Sequence, residues 1–409
     1  MTMDSAGDQI PVTLLTGFLG SGKTTTLNHL MRQPAFADVM VIINEFGEVA
    51  LDHLLIGERT ENLVMEMSSG CLCCNIRGDL VKTLSDLSWR FSRNGERQFN
   101  RVVIETTGVA DPAPIVQSLM ADPAVASKYR LDGLVATVDL ATGMGTLNEF
   151  TEATRQVAMA DTLLLTKRDL VTDEQRDLLL RRIEEINPAA ERVEVQDGQV
   201  APEQVLDLGL VSSDGKLADV AAWLREEAYP GSAAHDPEGH KAFRGHDHCG
   251  HEAHDHGHGA HGQSGHADDQ DGGQDGDQDG DKDGDQDIGI HHDHAHDVNR
   301  HDEHIRAFCF TIDDPIPEDV VGPWLEVMMG FVGADILRVK GILNVAGHEQ
   351  PVAVHGVQHI LHPPATLSAW PSEDQRSRLV FITRDIGPEE IEETFQAFSQ
   401  PPDRAWGAA

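Results

Sequence analysis

The chain has 409 residues and a formal net charge of −38, from 31 Lys and Arg against 69 Asp and Glu. That length suits two or three domains, and an acidic body argues against nucleic acid or an anionic membrane as the main partner. Five cysteines, three of them crowded together as Cys71, Cys73 and Cys74, make no disulfide framework and read as reduced thiols of a cytoplasmic protein.

Residues 1–228 alternate short apolar runs with longer helical patterns, which predicts an α/β fold with a mostly parallel sheet covered by helices. The start, 1–9, is polar, with neither a basic n-region nor an apolar h-region. Residues 11–16 read as a strand, followed by a Gly-rich turn and a helix through His29 and Met31. Further strands are expected at 39–43, 102–104, 134–138 and 162–165, whose near-continuous Val, Ile and Leu suit burial on both faces. Leu178, Leu179, Ile183 and Ile186 recur at helical spacing and predict a helix over 173–186.

Residues 229–304 differ in character. From 235 to 304 the chain carries 19 Asp or Glu, 4 Lys or Arg and 16 of its 22 histidines, with Phe243, Ile288, Ile290 and Val298 as the only large apolar side chains. So little apolar surface cannot offset the entropy of ordering, and the sequence predicts a disordered insert. In 305–409, strands are expected at 305–312, 336–345, 352–362 and 379–383. Helices near 317–329 and 388–398, each with Pro early, would join them into a smaller α+β domain. No apolar run anywhere approaches the ~20 residues of a membrane-spanning helix.

Three motifs carry phosphate chemistry. Residues 17–24, from Gly17 to Lys23 and Thr24, fit the Walker A pattern between a predicted strand and a predicted helix. Gly17, Gly20, Ser21, Gly22 and Thr25 supply a loop whose backbone N–H groups wrap phosphates. Lys23 neutralises the β and γ oxygens, and Thr24 offers a hydroxyl to Mg2+. Glu105-Thr106-Thr107-Gly108 follows the strand at 102–104. Glu105 at that strand end can hold Mg2+ directly or through water, and Gly108 can turn its N–H to the γ-phosphate. Thr166-Lys167-Arg168-Asp169 follows the strand at 162–165, where GTPases carry N-K-x-D. Asp169 can accept from guanine, which favours GTP over ATP, although Thr166 replaces the usual Asn.

The segment Glu66-Met67-Ser68-Ser69-Gly70-Cys71-Leu72-Cys73-Cys74 is the most specific feature of the chain. Thiolates are soft ligands that favour Zn2+, Cu+ and, less strongly, Co2+ or Ni2+. Three thiols in four residues, with no second pair elsewhere, cannot close a structural zinc cage, and an open site suits a metal that later leaves.

The strings GFLGSGKTT, INEFGEVALD, GCLCC, VVIETTGVADPAP and TKRDL together resemble the CobW-type P-loop GTPases, metallochaperones related to the nickel-insertion GTPases. ILRVKGIL and HGVQHILHPP are similar to the second domain of that family. The resemblance implies that Cys71, Cys73 and Cys74 are the internal metal site and that residues 44–48 are the first switch, with Glu48 a metal- or magnesium-side acid and Asp52 close behind. Ile43 stands where some relatives carry an acidic ligand. It further implies GTP hydrolysis to GDP, Mg2+ as cofactor, Zn2+ as first choice of cargo with Co2+ second, and client metalloproteins as recipients, with homo-oligomerisation left open. Nucleotide state would then bias the hold on the metal through the switch segments. No residue identifies itself as the group that positions the attacking water.

Three readings compete with zinc delivery: a cobalt chaperone for cobalamin synthesis, a metal buffer built on the insert, and a P-loop kinase or ATPase acting on a small molecule, against which Cys71, Cys73 and Cys74 argue. His246, His248, His251, His254, His256 and His258 are spaced every two to four residues on a flexible chain, and neutral imidazoles so arranged make adaptable metal ligands. The Asp-rich run after them mimics a calcium loop, but the twelfth position is Gln286 or Ile290, which excludes an EF-hand. His355 and His359 would share one face of the strand at 352–362, and with His362 they read as structural rather than metal-binding.

Overall fold

The computed structural model describes residues 9–43, 64–66, 76–209, 219–230 and 304–399. In chain order the elements of the first half are β1 (Ile10–Gly17), α1 (Lys23–Leu30), β2 (Val39–Ile43), β3 (Val64–Glu66), α2 (Ile76–Arg90), β4 (Ser92–Arg93), β5 (Glu96–Arg97), β6 (Arg101–Glu105), α3 (Ala113–Ala121), α4 (Pro123–Ala126), β7 (Tyr129–Asp139), α5 (Gly143–Glu149), α6 (Thr151–Met159), β8 (Thr162–Thr166), α7 (Asp173–Ile186), β9 (Glu191–Val195) and α8 (Val220–Leu224). The second half adds β10 (Ile305–Ile312), α9 (Glu318–Phe331), β11 (Ile336–Leu343), β12 (Val352–Val357), β13 (Ile360–Leu361), β14 (Ala365–Thr366), β15 (Ser377–Arg384) and α10 (Pro388–Ser399).

The apolar runs of the first half form one parallel sheet in the order β3-β2-β6-β1-β7-β8-β9. Both faces are dry, which is why these strands lack a polar alternation. Val12, Leu14, Ile42, Ile104 and Ala136 face a layer holding Leu84 and Leu87 of α2, Ile115 and Leu119 of α3, and Ile183 of α7. Leu15, Val41, Val103, Val135 and Leu164 face Leu27 and Leu30 of α1. After β1 the chain goes to β2 on one side and later to β7 on the other, so the strand order reverses at β1. The crevice outside the carboxyl ends at such a point is where open α/β sheets bind ligands.

The second half forms an antiparallel sheet in the order β10-β15-β11-β12-β13, with β14 on β12. On one face Val339, Leu343 and Phe381 meet Trp324 and Met328 of α9 and Ile391 of α10. On the other, Leu337, Ile342, Val380 and Ile382 join the layer of the parallel sheet that holds Leu134 and Val157. An antiparallel sheet usually leaves one face to water; this one is covered on both. Among the described residues, no helix is long and apolar enough to cross a membrane.

Several boundaries differ from the sequence reading. β7 begins at Tyr129, five residues before the apolar run, because the buried Arg101 guanidinium meets the carboxylate of Asp132 at 2.5 Å and lets a charged residue enter the sheet. β11 stops at Leu343. Pro317 caps α9 from outside, and Pro323 lies within that helix. The expected strand at 352–362 breaks at a turn where Gln358 takes φ 50°, so His355 and His359 do not share a strand face.

Instead, His355 and His362 lie together with ring centroids 4.9 Å apart. Burial pushes His362 down to about 4, with Arg130 adding to the effect. Burial also holds His355 well below the ordinary imidazole range, reinforced by His362 and Lys340. As pH falls from about 6.5 toward 4, the unfolded chain takes up protons that these folded rings refuse, so stability falls across that window. At about 1.4 kcal/mol per unit, the His362 shift alone costs on the order of 3 kcal/mol by the acid end, and His355 acts in the same direction. Urea unfolding at pH 7, 6 and 5 should show this slope, and the double variant His355→Gln/His362→Gln should flatten it. A variant with the parental slope would exclude the pair as its source.

Candidate nucleotide and metal site

The phosphate loop is shaped by close approaches that side chains would block. A Cβ on Gly17, which takes φ 138°, would sit 2.2 Å from the Thr137 hydroxyl of β7. A Cβ on Gly108 would meet the backbone of Leu19 at 2.7 Å. The loop after β6 therefore lies directly against the loop after β1.

Polar contacts hold the loop from beneath. The Ser21 hydroxyl shares a 2.6 Å hydrogen bond with Thr137 and reaches the Phe18 carbonyl at 2.7 Å. Thr166 donates from its hydroxyl to the Ser21 carbonyl at 2.8 Å. The threonine that replaces the usual Asn thus still ties the loop after β8 to the phosphate loop. Lys23 is buried, and its Nζ donates to the carbonyls of Gly17 at 2.9 Å and Phe18 at 3.2 Å. The Phe18 and Phe150 rings pack with centroids 4.6 Å apart and planes tilted by 36°, and brace the loop from outside.

The Thr24 hydroxyl donates to Glu105 at 2.7 Å, so the end of β6 brings its carboxylate to the first turn of α1. A hydroxyl and a carboxylate oxygen side by side are the hard oxygen donors that Mg2+ takes from a protein. The residues present therefore fit this ion. Beyond Glu105, the Thr106 hydroxyl donates to that of Thr16 at 2.8 Å. The buried amide of Gln156 on α6 donates to the carbonyls of Ala110 at 2.9 Å and Gly108 at 3.2 Å. A helix set apart in sequence thus pins the loop that would face a γ-phosphate.

Sequence reasoning overlooked Asp139 and Gln156. Asp139 ends β7, and its carboxylate takes Lys167 Nζ at 2.6 Å, the Ala141 N–H at 2.8 Å and the Thr142 hydroxyl at 2.9 Å. Burial raises its pKa, but these three donors outweigh that and hold it below the usual carboxylate range. An acid closing an apolar parallel strand was the available signal. Gln156 offered none, since only its place on α6 gives it a role.

Gly17, Gly20, Ser21, Gly22, Lys23, Thr24, Thr25, Glu105, Gly108 and Thr166 all gather at the carboxyl ends of β1, β6 and β8. Lys167 turns through φ 58° toward Asp139, and Asp169 is exposed on the turn that follows. Glu48, Asp52, Cys71, Cys73, Cys74 and the insert histidines His246, His248, His251, His254, His256 and His258 lie outside the described residues. Among the described residues, no group of three or more His, Cys, Asp or Glu side chains is placed to hold a metal ion.

A lysine-bearing glycine loop at the switch point of a parallel sheet, joined to an acid from the neighbouring strand, defines a P-loop nucleotide-binding protein. Residues 11–194 match the CobW/HypB/UreG nucleotide-binding domain, and residues 305–399 match the cobalamin synthesis protein CobW C-terminal domain. The chain belongs to the CobW-type P-loop family. It is 41% identical over 202 residues to the zinc chaperone YjiA of Escherichia coli, an alignment covering 49% of this chain and 60% of that one. It is 34% identical over 212 residues to the zinc-regulated GTPase metalloprotein activator 1 of Schizosaccharomyces pombe, covering 50% of each. The chain thus spans little more than half the length of these curated relatives. The crystal structure of Zn(II)-bound YjiA GTPase from E. coli superposes with a TM-score of 0.58 at 27% identity, covering 96% of this chain and 99% of that one.

Proposed function

We propose that the chain is a cytoplasmic, GTP-hydrolysing metallochaperone that binds zinc at Cys71, Cys73 and Cys74 and passes it to client metalloproteins under nucleotide control. The observation that carries this reading is the Thr24–Glu105 pair beside the buried Lys23, in a chain whose relatives are named as zinc chaperones and zinc-regulated GTPases. Lys23 would leave the two loop carbonyls for the β and γ oxygens, and the loop N–H groups would wrap the same phosphates. Thr24 and Glu105 would hold Mg2+, which neutralises charge on the transferred phosphoryl group. Gly108, held by Gln156, is the point where loss of the γ-phosphate would be felt. Asp169, exposed beyond the loop that Thr166 anchors, would accept from guanine. The three thiols favour zinc because thiolate is the softest ligand on offer, and an open site lets the metal go.

The test is a pair of titrations on the purified full chain. GTP should bind at least ~10-fold more tightly than ATP, a difference of about 1.4 kcal/mol. Zinc, titrated against a competing chelator, should bind with proton release and alter phosphate production from GTP. Equal affinity for the two nucleotides, or a Cys73→Ser chain with unchanged zinc affinity, would overturn the reading.

A further inference from the structure

At the end of β8 opposite the phosphate loop, residues of both halves line a cavity that opens to solvent. Asp161, Trp223, Arg225, Tyr229, Arg338 and Lys340 form its functional wall. The Arg338 guanidinium and the Lys340 ammonium both donate to Oδ1 of Asp161, and their side chains are only 7% and 6% exposed. The other oxygen of Asp161 accepts the Leu134 N–H at 2.9 Å. Arg225 and Glu191, at the rim, pair with each other at 3.4 Å. Two buried cations therefore share one carboxylate, and the dry part of the wall carries one positive charge in excess.

Among the described residues of this wall, no further unpaired acid cancels that charge. The Trp223 ring lies 4.8 Å from Lys340 Nζ and offers its π face, and it meets His355 edge-on at 6.1 Å. His355 and His362 carry no negative charge in either protonation state. Donor capacity is also left over. Lys340 Nζ donates to Asp161 at 2.8 Å and to the Trp223 carbonyl at 3.2 Å, which leaves its third N–H. Tyr229 lines the same cavity, and its hydroxyl remains available to an acceptor there. A buried charge without a counter-charge is expensive.

We propose that this cavity binds one small oxyanion, a carboxylate or a phosphate, whose charge completes the Arg338–Lys340–Asp161 cluster and whose oxygens accept from Lys340 Nζ and the Tyr229 hydroxyl. The protonation states agree. Burial raises Tyr229 to about 12, so its hydroxyl remains a donor at neutral pH. Burial and then Arg338 push Lys340 down to about 8, close to losing its proton, and a bound anion acts in the opposite sense.

The experiment is calorimetric titration of the full chain with acetate and, separately, with inorganic phosphate at constant ionic strength and pH 7. The parental protein, Lys340→Met, Tyr229→Phe and Lys23→Ala are compared. For at least one anion a saturable site that survives Lys23→Ala is expected, and which of the two fills it identifies the source. Lys340→Met should weaken binding at this site by at least ~10-fold and Tyr229→Phe by about threefold, while Lys23→Ala should remove only the separate binding of phosphate at the phosphate loop. Lys340→Met leaves a balanced Arg338–Asp161 pair, so it should melt no lower than the parent. If it fails to fold, Tyr229→Phe, which removes one oxygen atom, decides the matter. Binding that persists in Tyr229→Phe and Lys340→Met at parental strength, or that vanishes in Lys23→Ala, would place the anion elsewhere and overturn the proposal. So would no saturation by either anion.

Discussion

Lys23→Ala should lower guanine-nucleotide affinity by at least about 100-fold, the equivalent of ~3 kcal/mol. A charge-assisted hydrogen bond to a phosphate oxygen is worth about 1.5–3 kcal/mol, and a P-loop lysine makes more than one. Lys23 donates to the carbonyls of Gly17 and Phe18. Those are ordinary bonds to neutral acceptors, so exchanging them for phosphate oxygens is strongly favourable. Alanine also leaves the fold standing, because the loop keeps its Ser21–Thr137 and Thr166–Ser21 ties. Titration with a fluorescent GDP analogue, alongside a melting curve, reads both effects. A variant that binds nucleotide within a few-fold of the parent would remove the P-loop as the nucleotide site.

The second large effect is expected at the junction of the two sheets. Asp161→Asn removes the one carboxylate that Arg338 and Lys340 share, and breaking a buried ion pair by deleting one partner typically costs about 3–5 kcal/mol. Asparagine keeps the size and still accepts from the Leu134 N–H, so the loss reports charge rather than volume. Burial alone would raise the carboxyl, but Arg338 and then Lys340 hold Asp161 far below the usual carboxylate range. Its contribution is therefore intact at neutral pH and is lost only when strong acid titrates the folded state. Urea unfolding of the parent, Asp161→Asn, Lys340→Met and the double variant closes the cycle. The double variant should recover at least ~1 kcal/mol over Asp161→Asn, since one homeless cation is gone. A single-variant cost under about 1 kcal/mol would mean the cluster does not hold the junction.

What could be seen in advance follows the range of the interactions involved. β2, α7 and β10 appear in the structure with the expected bounds, because each is marked by its own composition and periodicity. The phosphate loop was equally plain, since its glycines and Lys23 are contiguous. The replacement at Thr166 looked like a departure from the GTPase pattern, and only the geometry shows that its hydroxyl keeps the tie to Ser21. Long-range pairs left no trace: Arg338 and Asp161 stand 177 residues apart, and a charged residue alternating with Val, Leu and Ile reads locally as a solvent-facing position. Asp132 entered β7 for the same kind of reason, through Arg101. The hairpin at Gln358 was missed because its turn residues are neither Gly, Pro nor Asn, and the backbone there takes a positive φ that His359 and its neighbours do not advertise.

The doubly covered antiparallel sheet bears on how such proteins can be assembled from parts. Sequence comparison draws a line between residues 194 and 305, yet Leu337, Ile342, Val380 and Ile382 belong to the same apolar layer as Leu134 and Val157. The line separates two patterns of inheritance, while the oil runs across it. A C-terminal half grafted onto a foreign P-loop protein would arrive with an open greasy face and two stranded cations. It would settle only on a host that offers matching hydrocarbon and an acid where Asp161 stands.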